Sequence, residues 1–320
     1  MWSGDRRWIG LAAAALLLGG CADVLVAAPP SSTMTSAAPP PTTTTTAPAA
    51  TLTVPAPLPP NVDEVALDVA GVTRSYLLFV PESLHPDDPV PLVIDLHGFT
   101  VDAVRHGSVS RWNALAGIEG FVVATPSALG DPLSWAIASG TASTADIAFL
   151  LAVIDDVAAQ VTIDPGRVYL SGFSNGGGMA HRLACEHAER VAAIGTVAGA
   201  YVDADDCAPS RPVSVIAFHG TSDLVVPYDG LSDVFPPILD WAHAWAGRDR
   251  CAPVAARTEV SADTVADTWT GCAGGTGVVV YTVESGSHAW PGADHTGLFV
   301  PTDTIDATAL MWAFFRDHGH

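Results

Sequence analysis

The sequence predicts an α/β fold in one domain, with a mostly parallel central sheet and helices on both of its faces. Short apolar runs rich in β-branched residues alternate with stretches of helical periodicity, as expected for strands joined by crossover helices. Residues 61–320 form the predicted folded part, and a length of about 260 residues is common for one domain. No internal repeat interrupts this pattern.

The predicted sheet opens with an antiparallel pair, Val65–Val69 and Thr73–Phe79. The strands that follow are predicted at Leu92–Leu96, Phe121–Thr125, Val168–Ser171, Val191–Val197, Val213–Phe218 and Val278–Val283. Apolar residues at helical spacing predict a long helix that packs on the sheet; they are Ile147, Leu150, Leu151, Ile154, Val157 and Val161. A last helix, which contains Leu310, Met311, Phe314 and Phe315, is predicted to cover one end of the sheet.

The first 60 residues have the composition of a targeting segment and a linker. Arg6 and Arg7 precede a short apolar core that ends at Cys21 and resembles a bacterial lipoprotein signal. We therefore expect residues 1–20 to be a signal peptide and Cys21 to be lipidated, with simple secretion as the alternative. Residues 21–60, rich in Pro and Thr, are expected to be a tether that holds the protein at the outer face of the cell membrane.

Charge and composition exclude several classes of function. The formal net charge is −21 and the pI is near 4.5, which argues against a nucleic-acid partner. All 13 basic residues are arginine, so Walker-type phosphate loops, Schiff-base chemistry and Ser-Lys mechanisms are excluded. No glycine-rich dinucleotide motif follows the first strand. No metal or organic cofactor is expected.

The most informative motif is Gly172-Phe173-Ser174-Asn175-Gly176, which follows an apolar strand and precedes a helical stretch. A serine at such a strand-to-helix turn is exposed at the top of the sheet. Glycines flank it because a Cβ at either position would collide with the tight turn. This context predicts that Ser174 is a nucleophile.

A serine nucleophile needs a histidine base and a carboxylate that orients the base. When the serine follows a strand of a mostly parallel sheet, the three residues occur along the chain in the order Ser, then Asp or Glu, then His. Asp223 follows the predicted strand Val213–Phe218 directly and is our candidate acid. The competing carboxylates, which do not follow a strand in this way, are Asp203, Asp205, Asp206 and Asp229.

His288 is the candidate base because it lies in a Gly- and Pro-containing loop after the strand Val278–Val283. His295 is the main alternative. A metal site formed by His288, His295 and Asp294 matches no established ligand spacing. The other downstream histidines are assigned to a helix or to the chain terminus; they are His243, His318 and His320.

A serine hydrolase of this kind also needs two backbone N–H groups that stabilise an oxyanion. The strand Leu92–Leu96 runs into His97-Gly98-Phe99, and Gly98 allows close approach of the backbone to a substrate. We predict the amides of Phe99 and Asn175 as the two donors. His97 is expected to brace this turn at the edge of the substrate pocket.

The combined motifs resemble the polyhydroxybutyrate-depolymerase-like esterases, a family of secreted α/β-hydrolases that includes feruloyl and acetyl-xylan esterases. The resemblance is carried by Leu96-His97-Gly98, Gly172-Phe173-Ser174-Asn175-Gly176-Gly177, His219-Gly220-Thr221-Ser222-Asp223 with Val226-Pro227-Tyr228, and His288-Ala289-Trp290-Pro291-Gly292. It extends from about Val65 to Arg316. The resemblance implies an α/β-hydrolase fold, a Ser174-Asp223-His288 triad, and Trp290 at the acyl pocket.

These observations predict a serine carboxylic-ester hydrolase that works through an acyl-enzyme. Its expected substrates are esters with short-chain, hydroxyacyl or aromatic acyl groups, including polyester or polysaccharide-linked ones. Trp135 and Trp290 are expected to supply flat pocket walls, with core packing as the alternative for Trp135. The alternative functions are a serine peptidase or amidase on the same fold, and a surface-anchored binding protein without activity. The oligomeric state is not predicted.

Four cysteines remain after Cys21, an even number in a protein destined for an oxidising compartment. We predict the sequence-nearest of the three possible connectivities, which pairs Cys185 with Cys207 and Cys251 with Cys272.

Overall fold

A ten-stranded sheet lies at the centre of the computed structural model, which describes residues 60–85, 87–202, 204–294 and 299–320. Its strands are β1 (Val62–Val69), β2 (Val72–Phe79), β3 (Val90–Leu96), β4 (Val122–Pro126), β5 (Ile163–Phe173), β6 (Ala193–Val197), β7 (Ser214–Gly220), β8 (Ala256–Glu259), β9 (Thr264–Trp269) and β10 (Val278–Val283). The α-helices are α1 (Ala103–Ser110), α2 (Trp112–Glu119), α3 (Thr141–Gln160), α4 (Asn175–Glu186), α5 (Ile238–Arg248) and α6 (Ala307–Asp317). The predicted signal peptide, Cys21 and all of the predicted tether except residue 60 lie outside the described residues.

The strand order is β1-β2-β4-β3-β5-β6-β7-β10-β9-β8. The strands from β4 to β10 are parallel neighbours, while antiparallel strands extend the sheet at both edges. All seven residues of β3 are buried, because a central parallel strand is covered on both faces. The predicted α/β fold class is confirmed.

Two apolar clusters pack on opposite faces of the sheet. One contains Ile147 of α3, Met179 of α4 and Trp241 of α5. The other contains Trp112 of α2 and Phe315 of α6. The helical stripe predicted around Ile147 forms part of the first cluster and so serves packing. None of the helices in the described ranges is long and apolar enough to cross a membrane.

The sequence analysis did not predict β8, β9, α1 or α2. The β8 strand is exposed at all four residues and has the polar sequence Ala-Arg-Thr-Glu, so no apolar pattern marks it. The first two helices have eight residues each and are separated by a single residue, Arg111, in the left-handed conformation (φ 59°). Periodicity over so few residues is a weak signal.

The parallel arrangement determines where the candidate site forms. The carboxyl ends of β3, β5, β7 and β10 lie at the same edge of the sheet, since these strands are parallel. The segments that begin with His97, Ser174 and Thr221, and the loop that carries His288, leave the sheet at that edge. Ligands of open α/β sheets bind at this edge.

Both predicted disulfides are present, Cys185–Cys207 and Cys251–Cys272. Cys185 lies near the end of α4, so the first bridge ties the helix behind Ser174 to the loop after β6. Cys185 and Cys207 are both buried, whereas Cys251 and Cys272 are partly exposed. Disulfides persist in oxidising compartments, so the protein functions outside the reducing cytoplasm.

Replacing Cys185 and Cys207 together by serine is expected to lower the free energy of unfolding by about 3 kcal/mol or more. The unfolded chain gains entropy when the cross-link is removed, and the folded protein must bury two serine hydroxyls. The matched control, Cys251→Ser with Cys272→Ser, closes a loop of similar length but leaves its serines partly exposed, so its loss should be smaller. Urea unfolding of the three proteins measures both. Equal losses, or a greater loss in the control, would contradict this prediction.

Candidate active site

Ser174 occupies the single residue between β5 and α4 and has a positive φ of 53° with ψ −115°. Such backbone strain persists only where the surroundings enforce it. Here the Ser174 N–H donates to the Val197 carbonyl (2.9 Å), and the Ser174 carbonyl accepts from Gly178 (3.1 Å) and Ala200 (3.0 Å). The turn therefore holds Ser174 from both sides.

The flanking glycines are required by close backbone contacts. A Cβ on Gly172 would overlap the carbonyl of Gly176, and a Cβ on Gly176 would overlap the carbonyl of Leu96 at the end of β3. The predicted reason for these glycines thus agrees with the packing. The turn can sit this close to β3 because neither residue has a side chain.

Asp223 and His288 form a buried hydrogen-bonded pair. The His288 Nδ1–H donates to Asp223 Oδ2 at 2.7 Å, and Asp223 Oδ1 accepts from the amides of Val225 (2.8 Å) and Val226 (2.9 Å). His219 Nε2 lies 3.3 Å from Asp223 Oδ2 and 2.8 Å from the Val226 carbonyl, so this nitrogen carries a proton. The sequence analysis gave His219 no role, although it precedes Asp223 by only four residues.

Burial by itself would raise the pKa of Asp223, but the hydrogen bonds from His219 and His288 outweigh it and hold that pKa well below its usual value. Asp223 is therefore ionised and acts only as an acceptor. An ionised Asp223 keeps the proton of a neutral His288 on Nδ1, which leaves Nε2 free to accept another proton.

The loop that carries His288 is fixed by rings and by a hydroxyl cluster. The His288 ring packs against Phe173 (centroids 4.9 Å apart) and Phe299 (5.8 Å). Further along, Asp263 accepts hydrogen bonds from four hydroxyl groups, those of Ser261, Thr264, Thr302 and Thr304. We call this group the Asp263 clamp. It joins the turn before β9 to the segment that leads into α6. The alternative base, His295, lies outside the described residues.

The predicted oxyanion donors lie on two neighbouring turns. Phe99 is half-exposed, and in the described part of the chain its amide donates to no carbonyl. Asn175 is the first residue of α4, where an N–H has no acceptor within the helix. The Asn175 side chain is engaged elsewhere: Oδ1 accepts from the Trp135 amide (2.7 Å) and Nδ2 donates to the Trp135 carbonyl (3.0 Å).

His97 and Trp135 support the turn that carries Phe99, and neither lines the cavity beside Ser174. This agrees with the predicted bracing role of His97 and favours the core-packing alternative for Trp135. Both side chains are buried. His97 Nδ1–H donates to the Gly98 carbonyl (2.8 Å), and Nε2 accepts from the Ala128 amide (2.9 Å). Trp135 Nε1–H donates to the His97 carbonyl (3.1 Å). Burial lowers the pKa of His97 to about 4, so this ring is neutral and serves to fix the turn.

Ser174 and His288 line the same cavity, which has a volume of about 520 Å³. Phe99, Phe173, Trp290 and Phe299 also line it, so much of the wall is aromatic. Trp290 is almost fully buried and is held by a 3.0 Å hydrogen bond from Nε1 to Thr308 Oγ1. Trp290 therefore forms a rigid part of the cavity wall, and its place at an acyl pocket stays a prediction.

A second buried acid–histidine pair was not predicted. His106 Nε2 lies 3.0 Å from Asp95 Oδ1, and the Ser110 hydroxyl donates to Asp95 Oδ2 at 2.6 Å. His106 lines the cavity and lies edge-on to Trp290, with centroids 5.8 Å apart. The available signal was Asp95 itself, a carboxylate inside the apolar strand Leu92–Leu96.

One group of possible metal ligands is present among the described residues, His181 with Cys185 and Cys207. Both sulfurs are joined in the disulfide and offer no thiolate. The His181 Nδ1 accepts hydrogen bonds from Trp245 (3.2 Å) and Trp241 (3.3 Å), and burial lowers its pKa to about 3. This group therefore belongs to the core.

The strand order, the strained serine after β5 and the acid–histidine pair at the carboxyl edge are those of an α/β-hydrolase. Comparison with known proteins narrows the class. Residues 74–237 match the model of the family described as esterase PHB depolymerase, and the chain belongs to this family. It is thus a carboxylic-ester hydrolase.

Individual relatives show how far the similarity extends. The putative esterase NocK of Nocardia uniformis subsp. tsuyamanensis is 31% identical over 255 residues, which is 70% of this chain and 72% of NocK. Feruloyl esterase B of Piromyces equi is 28% identical, over 68% of this chain but only 42% of that protein. The structure of an acetyl xylan esterase from Aspergillus awamori superposes with a TM-score of 0.58 at 14% identity, covering 76% and 94% of the two chains. That similarity concerns the fold.

Proposed function

We propose that the protein is a serine esterase that forms an acyl-enzyme on Ser174. The observation that carries this proposal is the 2.7 Å hydrogen bond between buried Asp223 and His288, which lines the same cavity as Ser174. In the first half-reaction, Ser174 Oγ attacks the ester carbonyl while His288 Nε2 takes its proton. His288 then gives that proton to the leaving alcohol, and the acyl group stays on Ser174.

In the second half-reaction, His288 Nε2 takes a proton from water, whose oxygen attacks the acyl carbonyl. The C–O bond to Ser174 breaks, the proton returns to Ser174 Oγ, and the carboxylic acid leaves. The amides of Phe99 and Asn175 donate to the oxyanion in both steps. In the described part of the chain, the Ser174 hydroxyl has no hydrogen-bond partner. The hydrogen bond between a serine nucleophile and its histidine base often forms fully only when substrate binds.

The cavity favours compact acyl groups. A volume of about 520 Å³ suits a small ligand, and the exposed rings of Phe99 and Phe299 offer faces for an aromatic or sugar ring. The names of the relatives point the same way, since they describe feruloyl and acetylxylan esterases. We therefore propose short-chain, hydroxyacyl or aromatic acyl esters as substrates, whether free or linked to a polymer.

Acetyl, butyryl or feruloyl p-nitrophenyl esters are expected to have a higher kcat/KM than the palmitoyl ester, because the aromatic walls fit compact groups. Steady-state hydrolysis of the four esters measures this. Butyryl p-nitroanilide, the matched amide, should react far more slowly, since the proposed enzyme is an esterase. A palmitoyl ester preferred more than tenfold would contradict the substrate class. A preferred amide would favour the peptidase or amidase alternative, and reaction with none of the compounds would favour the binding protein.

We also propose that Cys21 carries a lipid that holds the enzyme on the outer face of the bacterial membrane, with residues 21–60 as the tether. Cys21→Ala should release an active enzyme into the medium, because the tether separates the anchor from the folded part. Fractionation of cells labelled with radioactive palmitate checks both points. An unlabelled wild-type protein found mainly in the medium, with its N-terminus beyond Cys21, would contradict the anchor.

A further inference from the structure

His106 is a buried histidine in the cavity wall that the proposed serine chemistry does not use. It is 1% exposed and reaches the cavity from α1, beside Trp290. Its partner Asp95 is 0% exposed and comes from β3. Burying a polar pair between an apolar strand and a helix is costly unless its polar groups have hydrogen-bond partners.

The hydrogen bonds of this pair determine which nitrogen of His106 carries a proton. Asp95 accepts from Ser110 with Oδ2 and faces His106 Nε2 with Oδ1 (3.0 Å), so Nε2 donates. In the neutral ring the proton is on Nε2, and Nδ1 is left with a lone pair. The ring cannot turn without breaking its bond to the buried carboxylate.

The Nδ1 atom has no hydrogen-bond partner in the described part of the chain. Nδ1 is not one of the buried polar atoms without a partner in that part of the chain, so it is open to solvent. Since His106 lines the cavity, its accessible atoms face the space in which the substrate would lie. The structure thus presents a fixed hydrogen-bond acceptor in the same cavity as Ser174.

We propose that His106 Nδ1 accepts a hydrogen bond from a hydroxyl group of the substrate, so that the site selects hydroxylated esters over otherwise identical ones. Asp95 and Ser110 are positioning residues, which fix the tautomer and the orientation of the His106 ring. This inference rests on the proposed function, because it concerns the same cavity. A site built to hydrogen-bond a hydroxyl discriminates against the analogue that lacks it, since its own polar group then loses its partner.

The test uses matched sets of three esters: hydroxylated, deoxy and methoxy. One set comprises p-nitrophenyl esters of β-hydroxybutyrate, butyrate and β-methoxybutyrate. A second set comprises methyl esters of para-hydroxycinnamate, cinnamate and para-methoxycinnamate. A third varies the alcohol, with hydroxyethyl, propyl and methoxyethyl butyrate. For the wild-type enzyme, kcat/KM of the hydroxylated ester should exceed that of the deoxy ester by about tenfold or more in at least one set. The methoxy ester should lose this advantage because it cannot donate.

His106→Leu should reduce the ratio of kcat/KM for the hydroxylated ester to kcat/KM for the deoxy ester to near one. A general loss of activity affects both esters equally and does not change this ratio. The matched control is His243→Leu, at an exposed histidine of α5, which should keep the wild-type ratio. Because His106→Leu leaves the Asp95 carboxylate unpaired, circular dichroism checks its fold, and Asp95→Asn with His106→Leu removes the charge as well. If neither variant folds, the wild-type comparison of hydroxyl with methoxy esters decides.

Wild-type ratios below threefold in every set, methoxy esters cleaved as well as hydroxylated ones, or an unchanged ratio in folded His106→Leu would each overturn the inference. Failure of the proposed function looks different: the deoxy esters would not be cleaved, or Ser174→Ala would cleave them.

Discussion

Ser174→Ala is expected to lower kcat for ester hydrolysis by about 10⁴–10⁶-fold, because a serine nucleophile and its base act as a unit. Without Oγ no acyl-enzyme forms, and the oxyanion donors and substrate binding alone leave only weak residual catalysis. The fold should be unaffected by loss of the hydroxyl, since Ser174 is held through its backbone. Steady-state kinetics with p-nitrophenyl butyrate measures the effect, and labelling by a fluorophosphonate should disappear with it.

Ser222→Ala is the matched control, an exposed serine in the loop before Asp223, and should retain wild-type activity. A Ser174→Ala enzyme with more than a tenth of wild-type activity would rule out the proposed mechanism. His288→Ala should be about as damaging as Ser174→Ala. If His295→Ala were inactive and His288→Ala active, the base would be His295 and the rest of the mechanism would stand.

Asp223→Asn is expected to lower kcat by about 10³–10⁴-fold. The amide preserves the size of the side chain, and its oxygen can still accept from the Val225 and Val226 amides. What is lost is the negative charge that stabilises protonated His288 and the acceptor that keeps the His288 proton on Nδ1. The loss should therefore appear in kcat, and the free energy of unfolding should also fall, because the lowered pKa of Asp223 means that folding stabilises its ionised form.

Asp229→Asn provides the comparison, because Asp229 is an exposed carboxylate only six residues away. It should leave kcat within about threefold of wild type, as for most surface substitutions. If the two variants had similar activity, Asp223 would not be the acid, and Asp206, which competed with it in the sequence, would be tested next.

The sequence could predict those features of the site that depend on local order along the chain. Ser174 is defined by a strand, two glycines and a helix within a few residues. Both disulfides join cysteines about 20 residues apart and follow from simple proximity. Asp223 and His288 could be proposed because each follows a recognisable strand, although their 2.7 Å contact depends on the pairing of β7 with β10.

Features that depend on long-range hydrogen bonds could not be predicted. The sequence left Trp135 as either a pocket wall or a core residue. Its backbone is hydrogen-bonded to Asn175, 40 residues away, and its indole to His97, 38 residues away. The proposed role of His106 depends on its contact with Asp95. Asp95 is a single carboxylate within an apolar strand, β3, and the apolar pattern alone gives it no function. The edge strand β8 was missed because an exposed strand need not alternate apolar and polar residues.

The Asp263 clamp has a consequence for the conditions in which the loop that carries His288 stays in place. Burial raises the pKa of Asp263, but the four hydroxyl donors outweigh it and bring the pKa well below its usual value. The donors are neutral, so added salt cannot screen them as it screens a pair of exposed charges. Protonation of this carboxylate is therefore shifted to more acidic pH than that of an ordinary aspartate. The attachment of the loop that carries His288 should therefore respond little to added salt or to mild acid.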